Sequence, residues 1–158
     1  MENRGVLITR QDNLVPTHKM EHDPYEYSKY KVTERDKGYQ CFVAFYEIPP
    51  RKANYPYHYH LKSEEVFYII SGSGIVETPE GNKTISAGDV IICPASEEGA
   101  HKLINTSATE KLVYIDIDTV HKSDIVNYPK SGKIGIVTEG NPTAFYHKDS
   151  NVGYYEGE

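Results

Sequence analysis

The sequence predicts an all-β domain of antiparallel strands, a sandwich or a barrel. Three observations carry that prediction. Apolar and β-branched residues cluster in short strand-length runs, and no window shows a convincing helical period. Turn signals separate the runs at nearly regular spacing, among them Pro49-Pro50, Ser71-Gly72-Ser73-Gly74, Pro79-Glu80-Gly81-Asn82, Ala87-Gly88-Asp89 and Glu98-Gly99. The aromatic residues are 14 Tyr and 4 Phe with no Trp, and such rings fit a pleated, half-buried surface. Under about a fifth of the chain is expected to be helical, where an average domain has about a third.

In chain order the runs are residues 6–9, 25–33, 41–48, 65–70, 74–78, 83–85, 90–93, 101–105 and 112–117. The break at Pro79–Asn82 lies between Ile75-Val76 and Thr84-Ile85 and reads as a hairpin. Beyond residue 120 a strand pattern persists only at 134–137. With 158 residues the chain has the size of one domain. The expected organisation is N-terminal strands and an arm over 1–40, a barrel over 41–120, and an extension over 121–158 packed on the barrel, too short to own a core.

Composition narrows the partners. Seventeen basic against twenty-three acidic residues leave a net charge of −6, and Arg4, Arg10, Arg35 and Arg51 are the only arginines. Neither nucleic acid nor an anionic membrane surface is an expected partner. The start of the chain lacks a basic, apolar leader, and no apolar run approaches the roughly 20 residues that span a bilayer, so a cytoplasmic protein is expected. Cys41 and Cys93 are expected to be thiols.

The histidines carry the chemistry. His58 and His60 stand two apart, which on a strand places both imidazoles on one face. Glu65 opens the next apolar run and His101 a later one. Three neutral imidazoles and a carboxylate suit a divalent metal. The segment His58-x-His60-x4-Glu65-x6-Gly72 resembles the first motif of the cupin superfamily, and Gly88-x5-Pro94 followed by His101-x3-Asn105 resembles the second. Residues 124–133, with Tyr128-Pro129-x-Ser131-Gly132-Lys133, are similar to small bacterial cupins that carry a C-terminal tail.

The resemblance implies an antiparallel double-stranded β-helix, the jelly-roll barrel of cupins. It also implies one divalent ion per chain (Zn, Mn, Fe or Ni) held by His58, His60, Glu65 and His101. Two positions depart from the family pattern: Lys52 stands where the first motif begins with glycine, and the loop from Pro94 to Gly99-Ala100-His101 is longer than usual. Glu64 competes with Glu65 for the carboxylate role, and the spacing to Gly72 favours Glu65. With Glu65 inward, alternation turns Phe67 and Ile69 inward, and Leu103 and Asn105 likewise from His101, so these four are the expected pocket lining. Val66, Tyr68 and Ile70 then face outward, as barrel packing or as the interface of a homodimer. His18, His22, His121 and His147 are expected at the surface, and Arg51 and Lys62 in loops flanking the ligands.

Cupins of this ligand type include dioxygenases, decarboxylases, phosphosugar isomerases and lyases. The expected function is metal-assisted chemistry on a small carbonyl or enol compound, of isomerase, lyase or oxygenase type. The alternative is a non-catalytic sensor or binding module for a small ligand or metal. An anionic substrate is disfavoured at this level, because no strand assigned to the barrel after Glu65 contains an arginine.

Overall fold

The computed structural model describes residues 5–158; the opening residues read above for a leader, including Arg4, lie outside them. In chain order the strands are β1 (Thr17–His22), β2 (Tyr25–Lys31), β3 (Cys41–Ile48), β4 (Tyr59–His60), β5 (Glu65–Ser71), β6 (Ser73–Thr78), β7 (Gly81–Ser86), β8 (Val90–Cys93), β9 (Lys102–Ile104), β10 (Leu112–Thr119), β11 (Ser123–Tyr128), β12 (Lys133–Thr138) and β13 (Ala144–His147). Among the described residues the only helical elements are two 3-10 turns, at Gln11–Asn13 and Glu97–Gly99. Among the described residues no helix is long and apolar enough to cross a membrane.

All strand pairs are antiparallel and fall into three sheets. The largest runs β1-β2-β3-β10-β5-β8, the second β13-β12-β11-β4 and the third β7-β6-β9. Alternation sorts the central strands cleanly. On β3, Phe42, Ala44, Tyr46 and Ile48 are buried; on β10, Leu112, Tyr114, Asp116 and Asp118; on β5, Glu65, Phe67 and Ile69. Their registers align three interior rows: Tyr46–Tyr114–Ile69, Ala44–Asp116–Phe67 and Phe42–Asp118–Glu65. The interior therefore grades along the strands from an apolar end, closed by Ile48, Leu112 and Leu103, to an acidic end.

Gly72 makes the tight passage from β5 to β6. Its φ is +82°, and a Cβ there would meet the Lys111 carbonyl oxygen at 2.3 Å, so only glycine fits. On the outer face, Val43–Ile117–Val66–Ile92 and Phe45–Ile115–Tyr68–Val90 form two apolar rows across the sheet. Tyr68, Ile70, Val90 and Ile92 are exposed in the single chain.

Three expectations need correction. Residues 6–9 form no strand; Val6, Leu7 and Ile8 are exposed, and β-rich composition without a pairing partner makes no ladder. The N-terminal strand lies instead at β1, in a polar stretch between Pro16 and Pro24. The segment after residue 120 contributes β11, β12 and β13 rather than one strand, and β11 pairs with β4, the strand that bears His60.

Candidate metal centre

The site is assembled by backbone pairing before any side chain contributes. His58 and His101 form an antiparallel bridge, with each N–H donating to the other's carbonyl at 3.2 and 2.9 Å, and their rings lie 4.7 Å apart. His60, two residues on, stands with its ring 5.4 Å from that of His58. Glu65 opens β5 in register with Asp118 and Cys93. The Glu64 side, by contrast, is exposed.

The four side chains converge. Glu65 Oε2 lies 3.2 Å from His101 Nε2 and 3.7 Å from His58 Nε2, and Oε1 lies 3.7 Å from His60 Nε2. The ligating atoms of His58, Glu65 and His101 all stand within 4.8 Å of one another, a tighter set to which His60 is the outer neighbour. Each Nδ1 is held by an acceptor: the Pro56 carbonyl for His58 at 2.8 Å, the Gly99 carbonyl for His101 at 2.9 Å, and Asp124 Oδ2 for His60 at 2.7 Å. An Nδ1 that donates its hydrogen leaves Nε2 of a neutral ring as a lone pair, so three acceptors face a carboxylate. His101 Nε2 is buried without a hydrogen-bond partner among the described residues. Acceptors directed at an acceptor are compensated by a cation between them, and the donor set is that of a divalent metal.

Electrostatics agree with neutral rings at the tight set. Burial, with His101 and His60 nearby, pushes His58 well below the ordinary histidine value. For His60 burial acts downward, but the hydrogen bond to Asp124 and the charges of Glu65 and Asp124 outweigh it and raise the ring. Burial raises Glu65, with His101 as the main opposing influence. Asp124 is buried and accepts from His60, Lys62 N and Ser63 N; these hydrogen bonds outweigh burial and hold it below the usual carboxylate range.

A cavity of about 650 Å³ opens beside the cluster, with His58, His60, Glu65, Asp116, Asp118 and Tyr128 on its wall. His101 is behind that wall, its ring edge-on to Phe67 at 5.2 Å. The four residues expected as pocket lining are buried but do not line this cavity. Ile69 and Leu103 pack in the closed apolar end, Phe67 stands behind His101, and Asn105 is committed to the carbonyls of Ile48 and Glu110 and to Ser107 N. Alternation gives the inward direction, but inward means core at one end of the barrel and cavity at the other. His121 reaches the cavity rim, while His18, His22 and His147 are exposed away from it. Arg51 and Lys62 are exposed and not on the wall. Cys93 is buried, and burial raises its thiol far above the reactive range.

Sequence reasoning passed over Asp116, Asp118, Asp124, Lys29 and Arg35. Asp116 and Asp118 were legible, since they continue the inward parity of Leu112 and Tyr114 on an otherwise apolar strand. Among the described residues each keeps one buried carboxylate oxygen, Oδ1, without a hydrogen-bond partner, and with Glu65 they bring three carboxylates within 4.8 Å. Burial, with Asp118 alongside, drives Asp116 well above the carboxylate range. Asp124 opens the segment similar to tailed bacterial cupins, but nothing in the sequence marks it as the partner of His60.

The loop that positions His101 depends on Gly99. A Cβ there would lie 1.9 Å from the Pro94 carbonyl oxygen, so the backbone must move, and the Gly99 carbonyl is the acceptor that orients His101. Gly99→Ala is expected to lower the melting temperature by several degrees, a cost of about 2 kcal/mol. It should also broaden the His101 ring resonances in NMR spectra; an unchanged melt and spectrum would contradict this placement.

A small antiparallel barrel with a buried cluster of histidines around one glutamate defines the class of protein. Residues 44–118 match the family model described as Cupin domain, and this stretch of the chain is a cupin domain. No curated protein matches the chain. Among solved structures it is similar to a putative sugar phosphate isomerase from Acidithiobacillus ferrooxidans, with 23% identity, coverage of 95% of this chain and 97% of that one, and a TM-score of 0.80. It is similar also to a sugar phosphate isomerase from a cupin superfamily of Silicibacter pomeroyi, at 15% identity, 91% and 94% coverage and a TM-score of 0.79. A predicted oxalate decarboxylase from Thermotoga maritima aligns at 20% identity over 73% of this chain and 100% of that one, with a TM-score of 0.64. At these identities the likeness is one of fold.

Proposed function

We propose that the protein is a metal-dependent enzyme acting on a small hydroxylated carbonyl or enol compound, of isomerase type. The observation that carries this reading is the convergence of three Nδ1-anchored imidazoles on Glu65 beside an open cavity. His58, His60, Glu65 and His101 would hold the ion, which when bound supplies Lewis acidity toward a carbonyl or hydroxyl oxygen. The chain's own groups supply the rest. Asp116 and Asp118 offer acceptors to substrate hydroxyls, and the aromatic wall of Tyr46, Tyr55 and Tyr128 excludes water from the reacting end. Isomerase chemistry is preferred over lyase and oxygenase chemistry because acceptors for several hydroxyls line the cavity. The two near full-length structural neighbours, one a putative sugar phosphate isomerase and one a sugar phosphate isomerase, support the same choice.

The test is elemental analysis of untagged protein, followed by NMR of short-chain hydroxy-aldehydes and hydroxy-ketones, with and without phosphate groups, incubated with loaded and EDTA-treated enzyme. About one divalent ion per chain and interconversion lost on chelation are expected. Protein that retains no divalent metal, or interconversion indifferent to EDTA, would remove this reading.

A further inference from the structure

We propose that Lys29 and Arg35 form an anion-binding subsite on the cavity wall across Asp116 and Asp118 from the histidines, taking the phosphate or carboxylate end of a hydroxylated ligand. This deepens the proposed function and rests on that reading for the ligand's other end.

The sheet register supplies the geometry. Lys29 on β2 pairs with Tyr46 on β3, which pairs with Tyr114 on β10, which pairs with Ile69 on β5, so all four side chains lie on the interior face. At about 4.8 Å between strands, the backbones of β2 and β5 stand roughly 14 Å apart. Between them β10 presents Asp116 and Asp118, whose buried Oδ1 atoms lack partners among the described residues. Across the cavity the chemistry thus runs from an imidazole–carboxylate cluster, through hydroxyl acceptors, to cations.

Lys29 is the uncommitted charge. Its Nζ sits 4.5 Å above the Phe42 ring centroid and 5.2 Å from that of Tyr46, and among the described residues no carboxylate lies within 4.0 Å of it. Arg35 also lies over the Phe42 ring, with Cζ 4.6 Å from its centroid, and is fixed by an ion pair to Asp118. One pair leaves most of the guanidinium donors of Arg35 for a ligand. Lys31, the next cation on β2, is engaged by Glu34 at 3.0 Å. A half-buried ammonium seated on ring faces, with Asp116 and Asp118 as counter-charges but no direct ion pair, can take an incoming anion as its contact partner. Burial lowers Lys29 to about 8, with Asp116 and Asp118 opposing that shift and Arg35 and Lys31 reinforcing it. The cations come from β2 and the segment before β3, upstream of the strands after Glu65, which carry no arginine.

The probes are inorganic phosphate and acetate, titrated calorimetrically into the metal-free full chain. Phosphate is expected to bind, and Lys29→Met to weaken it roughly tenfold or more. Lys29→Arg should retain binding, and the exposed Lys19→Met should match wild type. Wild-type affinity should fall about tenfold per pH unit above 8 as the ammonium deprotonates, while Lys29→Arg stays flat. Phosphate binding that acetate does not displace assigns the end group as phosphate; displacement by acetate assigns a carboxylate. The proposal is overturned if neither anion binds at millimolar concentration, or if Lys29→Met binds phosphate as wild type does. Should Lys29→Met fail to fold, Lys29→Arg and its pH profile decide. Because the protein is metal-free, failure here leaves the metal centre standing, and loss of metal in His101→Ala leaves phosphate binding in place.

Discussion

Replacing His58, His60 or His101 by Ala is expected to lower divalent-metal affinity roughly tenfold or more, and Glu65→Gln to cost as much by removing the charge at the centre of the cluster. The geometry orders these effects. His58 and His101 belong with Glu65 to the tighter set, so their removal should cost more than that of His60. His121, at the cavity rim, and His147, outside it, are the controls, and their Ala variants should bind metal as wild type does. Equilibrium dialysis with elemental detection reads all six. If His101→Ala binds normally, or His121→Ala loses metal equally, the assigned cluster is wrong. Occupancy should also fall as pH drops through about 6, because imidazoles bind metal only when neutral. His60, with its raised pKa, should protonate before His58.

Asp124→Ala is expected to have two separable effects. The carboxylate orients His60 through Nδ1 and also accepts from the backbone N–H groups of Lys62 and Ser63. Losing the anchor should cost about 10- to 100-fold in metal affinity. Leaving these donors unpaired should cost about 3 kcal/mol of stability, read by urea denaturation of the metal-free protein. The pH dependence has a definite sign. Asp124 is depressed in the fold, so its contribution is present above its unfolded value near 4 and is lost as pH falls below that toward the folded value. His60 is raised, so its contribution is present below about 6.5 and is lost as pH rises through the folded value. The stability difference between wild type and Asp124→Ala should therefore be largest near pH 5. A difference that is flat from pH 4 to neutrality would show the pair to be uncoupled.

The fold and the cluster were legible for one reason, that both rest on local pattern. Alternation along 41–48, 65–70 and 112–117 reflects one dry face per strand, and that constraint is local, so it can be read one residue at a time. His58 and His60 on one face, Glu65 at a strand start and His101 at another are local facts of the same kind. What escaped was contact between distant segments. β11 carries no pattern stronger than that of a loop, because Ile125 is exposed while Asp124 and Asn127 are buried; pairing with β12 on one side and β4 on the other makes it a strand. The pocket lining failed because parity fixes the side of a sheet and says nothing of position along the barrel axis. Lys29 was hidden in a run of alternating tyrosines whose inward face became visible only through the Tyr46 register.

The pairing of β3 with β10 also governs how the chain reaches this state. Cys41 opposes Thr119, and nearly the whole barrel segment lies between them in sequence. Closing so long a loop costs entropy before the pairing returns any contact, which places folding among the slow, non-local β topologies, on a scale of milliseconds to seconds. Hairpins such as β6–β7 have no such delay. While closure is pending, the apolar rows of β5 and β8 are open on both faces, the condition in which nascent chains associate. The juxtaposition of Glu65 with Asp118 depends on β10 being in place. The acidic end of the cavity therefore arises late, and an ion that binds there reports a finished barrel and not a nucleus.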